Sequence, residues 1–343
     1  MQWNENGDSP APGVDAIRVQ DLCKTYHVPE REGGMGEAVR SFFRRRYRDV
    51  VAVQKVNFCI RSGEIVGFLG PNGAGKTTTL KMLSGLLHPT SGKVEVLGFT
   101  PWERKNEFLR AITLVMGQRS RLSWDIPAAD SFLLHQAIYR LSDEEYKQTL
   151  KELDDLLDLS PIMRKPVRNL SLGERMKCEL AAGLLHRPKV LFLDEPTIGL
   201  DITAQARIRA FLQEYNRRTG ATILLTSHYM ADVTALSERI IMIHQGELKY
   251  DGSITDLSRR IAPYKIICVT LEDGQVMDLS RYGDPAQPAN GEWGENGGCK
   301  NLIQVTANRV AEVTARLLAE LPVQDLNIED PPIESVIERA FAE

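Results

Sequence analysis

In this chain of 343 residues, the groups best able to do chemistry stand in two short runs. The first is Gly70, Pro71, Asn72, Gly73, Ala74, Gly75, Lys76 and Thr77, which fits the spacing GxxxxGK[ST], with Thr78 directly after it. Its glycines let the backbone curl so that successive N–H groups point inward, a geometry that cradles phosphate oxygens. A helix starting near Lys76 adds the positive end of its dipole. Lys76 is then placed to reach the β- and γ-phosphates of a nucleotide, and the Thr77 hydroxyl to ligate Mg²⁺. The second run is residues 190–195 (VLFLDE), four apolar residues ending in two acids. Asp194, at the end of that strand, is placed to hold Mg²⁺. Glu195 points another way, toward a water attacking the γ-phosphate, which is the position of a general base.

These groups need a rigid scaffold, and the pattern around them supplies one. Residues 64–69 (EIVGFL) read as a buried strand running into the glycine loop, followed by a helix through Leu87. Residues 190–193 and 222–226 are further short apolar or β-branched runs between helical stretches. Such strands, apolar on both faces, indicate an α/β fold with a parallel sheet covered on both sides. Residues 240–243 and 247–250, joined at Gln245-Gly246, read as a closing hairpin. Residues 125–187 are helical in pattern. Ser142 and Glu145 form a capping box there, and Tyr146, Leu150, Leu153 and Leu157 make one apolar stripe. Residues 17–26 and 50–60 read as strands. Beyond Pro263 the character changes to a small α+β segment, with strands at 266–271 and 302–305 and a helix at 310–321.

Further residues carry a family resemblance. Leu170, Ser171, Leu172, Gly173 and Glu174 lie between the two runs, and His228 follows them in LLTSH. In this order the set looks like the ATP-binding cassette of ABC transporters, over about residues 16–252. The resemblance implies a P-loop NTPase core with an antiparallel β subdomain and a helical subdomain, plus the small C-terminal α+β domain. The expected division is a flexible tail at 1–15, a nucleotide-binding domain at 16–254 and an accessory domain at 255–343. A basic amphipathic insertion at 28–50 and a helical subdomain at about 119–187 lie within the second of these. Carried over residue by residue, Gln118 is the Q-loop glutamine, sensing Mg²⁺ and touching the coupling helix of a membrane subunit. Ser171 and Gly173 cap the γ-phosphate bound to a partner protomer. Asp201 is the D-loop aspartate, and His228 holds the γ-phosphate and the attacking water. Family cassettes stack adenine on an aromatic residue. Here Tyr26, in LCKTY, and Tyr47, by its distance from Lys76, fit equally.

The signature departs from the common LSGGQ at Leu172 and Glu174, which puts an extra acid near the expected γ-phosphate position. The resemblance implies an ATPase using ATP and Mg²⁺, working as a head-to-tail pair with another copy or a paralogue. It would power export through a separate integral membrane permease from the cytoplasmic face of the membrane. The competing readings are a soluble ABC ATPase of translation or DNA repair and an importer cassette. The former usually has two cassettes in one chain or a long coiled coil, and neither is present here.

Composition is consistent with this and excludes other classes. Hydrophobic residues make up 43% and charged residues 26%, values that exclude a disordered chain, a collagen-like fibre or a disulfide-stapled miniprotein. The net charge of −4 conceals an acidic segment, since residues 263–343 hold 6 basic and 14 acidic residues. Nucleic acid is not an expected partner. Residues 38–48 (AVRSFFRRRYR) hold five arginines. On a helix, Val39, Phe42, Phe43 and Tyr47 would share an apolar face suited either to an anionic membrane surface or to packing on the cassette itself. The five cysteines lack any CxxC spacing, which reads as free thiols.

Overall fold

Three strand sequences, IVGFL, VLFLD and TILLT, form the middle of the largest sheet because they carry side chains that must be buried on both faces. The structure, a computed structural model, describes residues 14–29, 47–117, 120–227, 229–272, 276–286 and 301–342. Within them the chain divides after Asp251 into two compact units.

The first unit opens with an antiparallel sheet of β1 (Asp15–Pro29), β2 (Tyr47–Arg61) and β4 (Ser91–Val96), in the order β2-β1-β4. The main sheet contains β3 (Ile65–Leu69), β5 (Ile112–Met116), β6 (Val190–Asp194), β7 (Thr222–Thr226), β8 (Arg239–His244) and β9 (Glu247–Ser253), ordered β5-β6-β7-β3-β8-β9. The pairs β5–β6, β6–β7, β7–β3 and β3–β8 are all parallel. The chain reverses from β8 to β9 at Gln245 (φ 50°) and Gly246 (φ 81°), the two consecutive positive φ values of a tight hairpin turn.

Strand periodicity divides the core in two. Leu191, Leu193, Ile223 and Leu225 face a core shared with the helices, while Val190, Phe192 and Leu224 face one shared with the antiparallel sheet, including Ile17, Val53 and Phe58. Truncating any of these fully buried leucines to alanine costs about 2–5 kcal/mol. The helices in chain order are α1 (Lys76–Leu83), α2 (Asn106–Ala111), α3 (Ala128–Tyr139), α4 (Asp143–Leu157), α5 (Leu172–Leu184), α6 (Ile202–Thr219) and α7 (Met230–Leu236). Helix α4 begins at the expected capping box, where Ser142 Oγ accepts from Glu145 N.

The second unit holds α8 (Ile254–Ile261), β10 (Tyr264–Leu271), β11 (Asp284–Pro285), β12 (Asn301–Thr306), α9 (Val310–Glu320), β13 (Val323–Glu329) and α10 (Ile333–Ala342). Its antiparallel sheet has the order β11-β12-β10-β13. Its core joins Ile267, Val269 and Ile303 with Val313 and Leu317 of α9.

Two sequence expectations need correction. Tyr47 does not lie on a helix with Phe42 and Phe43. It pairs with Pro29, and Arg48 with Val28, because β1 and β2 continue as a two-stranded ribbon into the segment read as an insertion. Residues 30–46, and with them Val39, Phe42 and Phe43, lie outside the described residues. The cysteines are not all free. Cys23, Cys59 and Cys178 are, but Cys268, buried on β10, is disulfide-bonded. Sequence spacing could not show this, because pairing depends on how the sheet brings distant residues together.

Candidate functional site

The main-sheet strands that carry candidate groups end at the same edge. The glycine loop follows β3, Asp194 ends β6, and Thr226 ends β7, which lies between them. Ligands of open α/β sheets bind at this carboxyl edge.

Two positions of the glycine loop, Gly70 and Gly75, are too tightly enclosed to admit a side chain. A Cβ on Gly70 would lie 2.2 Å from Ile243 O, and one on Gly75 would lie 2.5 Å from Ala52 O. Gly75 also has φ 108°, and it caps α1. Backbone bonds from Gly246 N to Ala74 O (3.0 Å) and from Gln54 N to Gly246 O (2.7 Å) tie the loop to the hairpin and to β2. Lys76 is buried. Its Nζ donates to Gly70 O at 2.5 Å and Pro71 O at 3.1 Å. Burial lowers its pKa, while the Glu195 and Asp194 carboxylates pull it back up.

A hydrogen-bonded chain joins this loop to the two acids. Thr77 Oγ1 donates to Asp194 Oδ2 at 2.9 Å. Thr226 Oγ1 donates to Asp194 Oδ1 at 2.8 Å, and the same hydroxyl accepts from Glu195 N at 3.1 Å. Glu195 N also donates to Thr226 O at 3.1 Å. Glu195 adopts φ 55°, a left-handed conformation uncommon outside glycine that turns it away from the line of β6. Thr226 was missed from sequence. The only signal was its place as the last residue of an apolar strand directly before Ser227-His228.

The residues fit a magnesium nucleotide. Mg²⁺ takes hard oxygen ligands, usually one or two from protein beside those of a phosphate. Thr77 Oγ1 and Asp194 supply such a pair. Among the described residues, no cluster of three acids, histidines or cysteines could hold a metal alone.

Ser171 and Gly173 are grouped elsewhere, at the start of α5, where Gly173 lies close to Ala204 of α6. Ser171 is the N-cap of α5, with its Oγ accepting from Glu174 N at 3.2 Å. The Glu174 carboxylate turns back to accept from Ser171 N at 2.8 Å and pairs with Lys165 at 3.4 Å. The bond from Ser171 N is the main reason its pKa is lowered. The acid that departs from LSGGQ therefore completes a capping box and is engaged by its own helix terminus. Leu172 lies against Gly199. Asp201 caps α6, accepting from Ala204 N at 2.8 Å.

Gln118 and His228 lie outside the described residues. Their neighbours are placed: Gly117 N donates to Asp194 O at 2.9 Å, and Ser227 follows Thr226 at the sheet edge. Tyr26 is half-buried on β1 opposite Val50, with Lys24 Nζ 5.3 Å from its ring centre, and Tyr47 is exposed.

The comparisons with known proteins agree with this geometry. Residues 53–198 match the ABC transporter family, and residues 263–329 match the C-terminal domain of EvrA-like ABC transporters. The chain is 37% identical to the ABC transporter ATP-binding protein NatA of Bacillus subtilis over 217 residues, 62% of this chain and 88% of NatA. The chain belongs to the ABC transporter ATP-binding proteins. Another relative is the bacitracin transport ATP-binding protein BcrA of Bacillus licheniformis, 32% identical over 240 residues, 70% of this chain and 77% of BcrA. A solved dimeric ATP-binding cassette in a post-hydrolysis state bound to ADP and Pi superposes with TM-score 0.57. It is 25% identical and covers 69% of this chain and 98% of its own. The cassette described here is thus an ATPase subunit of an ABC transporter, with a P-loop core, an antiparallel β subdomain and a helical subdomain.

Proposed function

We propose that this cassette powers export by closing head-to-tail on a second cassette, another copy or a paralogue, when MgATP is bound. The observation that carries the reading is the continuous chain Thr77–Asp194–Thr226–Glu195 beside the buried Lys76 ammonium. Lys76 holds β- and γ-phosphate oxygens. Thr77 and Asp194 supply the oxygen ligands for Mg²⁺, which when bound offsets phosphate charge. Glu195 orients the attacking water and accepts its proton. Gln118 and His228 complete the water and phosphate contacts. Ser171 and Gly173 serve the other cassette's γ-phosphate from the start of α5, and Asp201 faces the same junction. Tyr26 is the better adenine platform of the two tyrosines. It stands opposite Val50, close along β2 to the Ala52 carbonyl that packs on the glycine loop, whereas Tyr47 is farther out on the ribbon.

The permease partner is an integral membrane protein. No helix among the described residues is long and apolar enough to cross a membrane. Support for its docking place is a groove of about 770 Å³ whose wall includes Leu86, Leu109, Ile138, Tyr139 and Arg121. The segment just after Gln118 forms part of that wall and is pinned from two sides. Arg121 Nη1 donates to Thr113 Oγ1 of β5 at 2.8 Å, and Arg121 N donates to Glu179 Oε2 of α5 at 2.9 Å. A push on the groove is thereby connected both to the sheet edge bearing Asp194 and to the helix that Ser171 begins. The chain would work at the cytoplasmic face of the membrane, where the arginine-rich segment 38–48 suits anionic lipid. BcrA is named for bacitracin transport, which supports a cargo of that kind here.

The test is nucleotide-dependent dimerisation of Glu195→Gln, followed by size-exclusion chromatography. MgATP should convert the variant to a dimer. Adding Ser171→Arg should abolish the dimer while leaving ATP binding intact. A dimer that survives Ser171→Arg contradicts the head-to-tail arrangement.

A further inference from the structure

The two turns that carry Glu195 and His228 converge on one buried carboxylate. Thr197, two residues after Glu195, donates its Oγ1 to Asp232 Oδ2. Ser227, one residue before His228, donates its Oγ to the same oxygen at 2.8 Å. The other carboxylate oxygen, Oδ1, accepts from Arg209 Nη1 of α6 at 2.7 Å. Asp232 and Thr197 are each 1% exposed, and Ser227 is 4% exposed. Ser227 Oγ also accepts from Tyr229 N at 3.0 Å, so the turn on either side of residue 228 closes on that hydroxyl.

This arrangement is more than helix capping needs. Asp232 lies in the first turn of α7, where a solvated carboxylate would already be favoured by the helix dipole. Instead it is buried, a costly placement that only full hydrogen bonding offsets. The donors come from three separate places: the turn after β6, the turn after β7, and α6. A residue held at left-handed φ, as Glu195 is, persists only where its surroundings over-determine it. Thr226 fixes Glu195 from its N–H side. The Thr197–Asp232 bond fixes the chain just beyond it.

We propose that Asp232 is a positioning residue for ATP hydrolysis: its carboxylate clamps the turn bearing the general base against the turn bearing the switch histidine. The inference rests on the roles given above to Glu195 and His228. Without the clamp each turn keeps its own backbone contacts, but their mutual spacing is released. A displacement of about 1 Å at the reacting groups costs up to roughly 100-fold in rate.

The test uses the full chain, with steady-state ATPase kinetics, equilibrium binding of radiolabelled ATP and a urea midpoint for each variant. Asp232→Asn should lower kcat about 10- to 100-fold with ATP affinity and KM within about twofold of the parent. Thr197→Val and Ser227→Ala leave the Asp232–Arg209 pair in place and so guard against simple misfolding. Each should lower kcat by a smaller factor, and neither should add to Asp232→Asn. In a Glu195→Gln background all three should leave the residual turnover unchanged, since no base remains to be positioned. If kcat, ATP affinity and urea midpoint fall together, Asp232 is a scaffold residue and the clamp is overturned. Full turnover in Asp232→Asn overturns it as well. Normal turnover by Glu195→Gln alone removes the base assignment and the clamp with it. Loss of turnover there, with full activity in the clamp variants, removes only the clamp.

Discussion

Thr226→Val isolates the hydroxyl that joins the two acids. Valine keeps the shape of threonine and the β-branched side chain a strand favours, so no cavity is opened. It removes one donor to Asp194 Oδ1 (2.8 Å) and one acceptor for Glu195 N (3.1 Å). Glu195 N keeps its bond to Thr226 O, so the main loss is the bond to a buried, charged carboxylate. Such a bond contributes about 1.5–3 kcal/mol. For a unit of this size each kcal/mol shifts the melting temperature by about 2–4 °C, which gives a fall of roughly 3–12 °C. With Asp194 held by Thr77 alone, turnover should also fall, about 10- to 100-fold. Thr222→Val is the control at the other end of β7. It loses one neutral bond from Gly63 N (3.0 Å), at a cost of about 1 kcal/mol. Its turnover should match the parent. The assay is thermal unfolding beside ATPase rate for the three proteins. If Thr226→Val and Thr222→Val behave alike in turnover, the claim that Thr226 organises the acids is refuted.

Two further expectations concern buried groups outside the site. His186 stacks on Tyr139 with ring centres 3.8 Å apart, and burial lowers its pKa to about 4 from 6.5. The folded state therefore holds it neutral, its contribution to stability is complete above pH 6.5, and that contribution is lost as pH falls toward 4. His186→Phe keeps the stack and gives up the Nε2 bond to Ile112 O, so it should be about 1 kcal/mol less stable at pH 7. Its urea midpoint should fall less steeply between pH 6.5 and 4; an unchanged pH profile would exclude His186 as a source of acid lability. Burial also pushes the Cys178 thiol up to about 12, whereas Cys59 is exposed. A thiol-exchange reagent at pH 8 should modify Cys59 at once and Cys178 only on unfolding. Rapid modification of both in the native protein would show that the α5 core opens readily.

The parts of the site legible in the sequence are those set by local chemistry. The Gly70–Thr77 spacing calls for a curled phosphate loop between strand and helix, and four apolar residues running into Asp194-Glu195 read as a short buried strand. Ser142 and Glu145 announced a helix start, and Gln245-Gly246 announced a hairpin. The parts that were not legible depend on strand order. Thr226 meets Asp194 because β7 lies between β6 and β3, and these residues are 32 apart in the chain. Thr197 and Asp232 are 35 apart and meet for a similar reason. No period in the sequence encodes such a neighbour. Glu174 shows a different limit. Its position beside the signature serine suggested an acid facing phosphate, but its side chain is satisfied by Ser171 N three residues back. In the C-terminal unit, the edge strand β13 escaped notice because the exposed polar residues Gln324, Asp325 and Asn327 break up its apolar pattern.

Glu195, set at left-handed φ beside the Thr77–Asp194 pair, is the proposed base for ATP hydrolysis. The most direct measurement mixes Glu195→Gln with Mg²⁺ and radiolabelled ATP and follows phosphate release alongside equilibrium ATP binding. ATP affinity should stay within about threefold of the parent, and turnover should fall by about 100-fold or more. Phosphate release at the parent rate, with ATP bound normally, would contradict that role for Glu195.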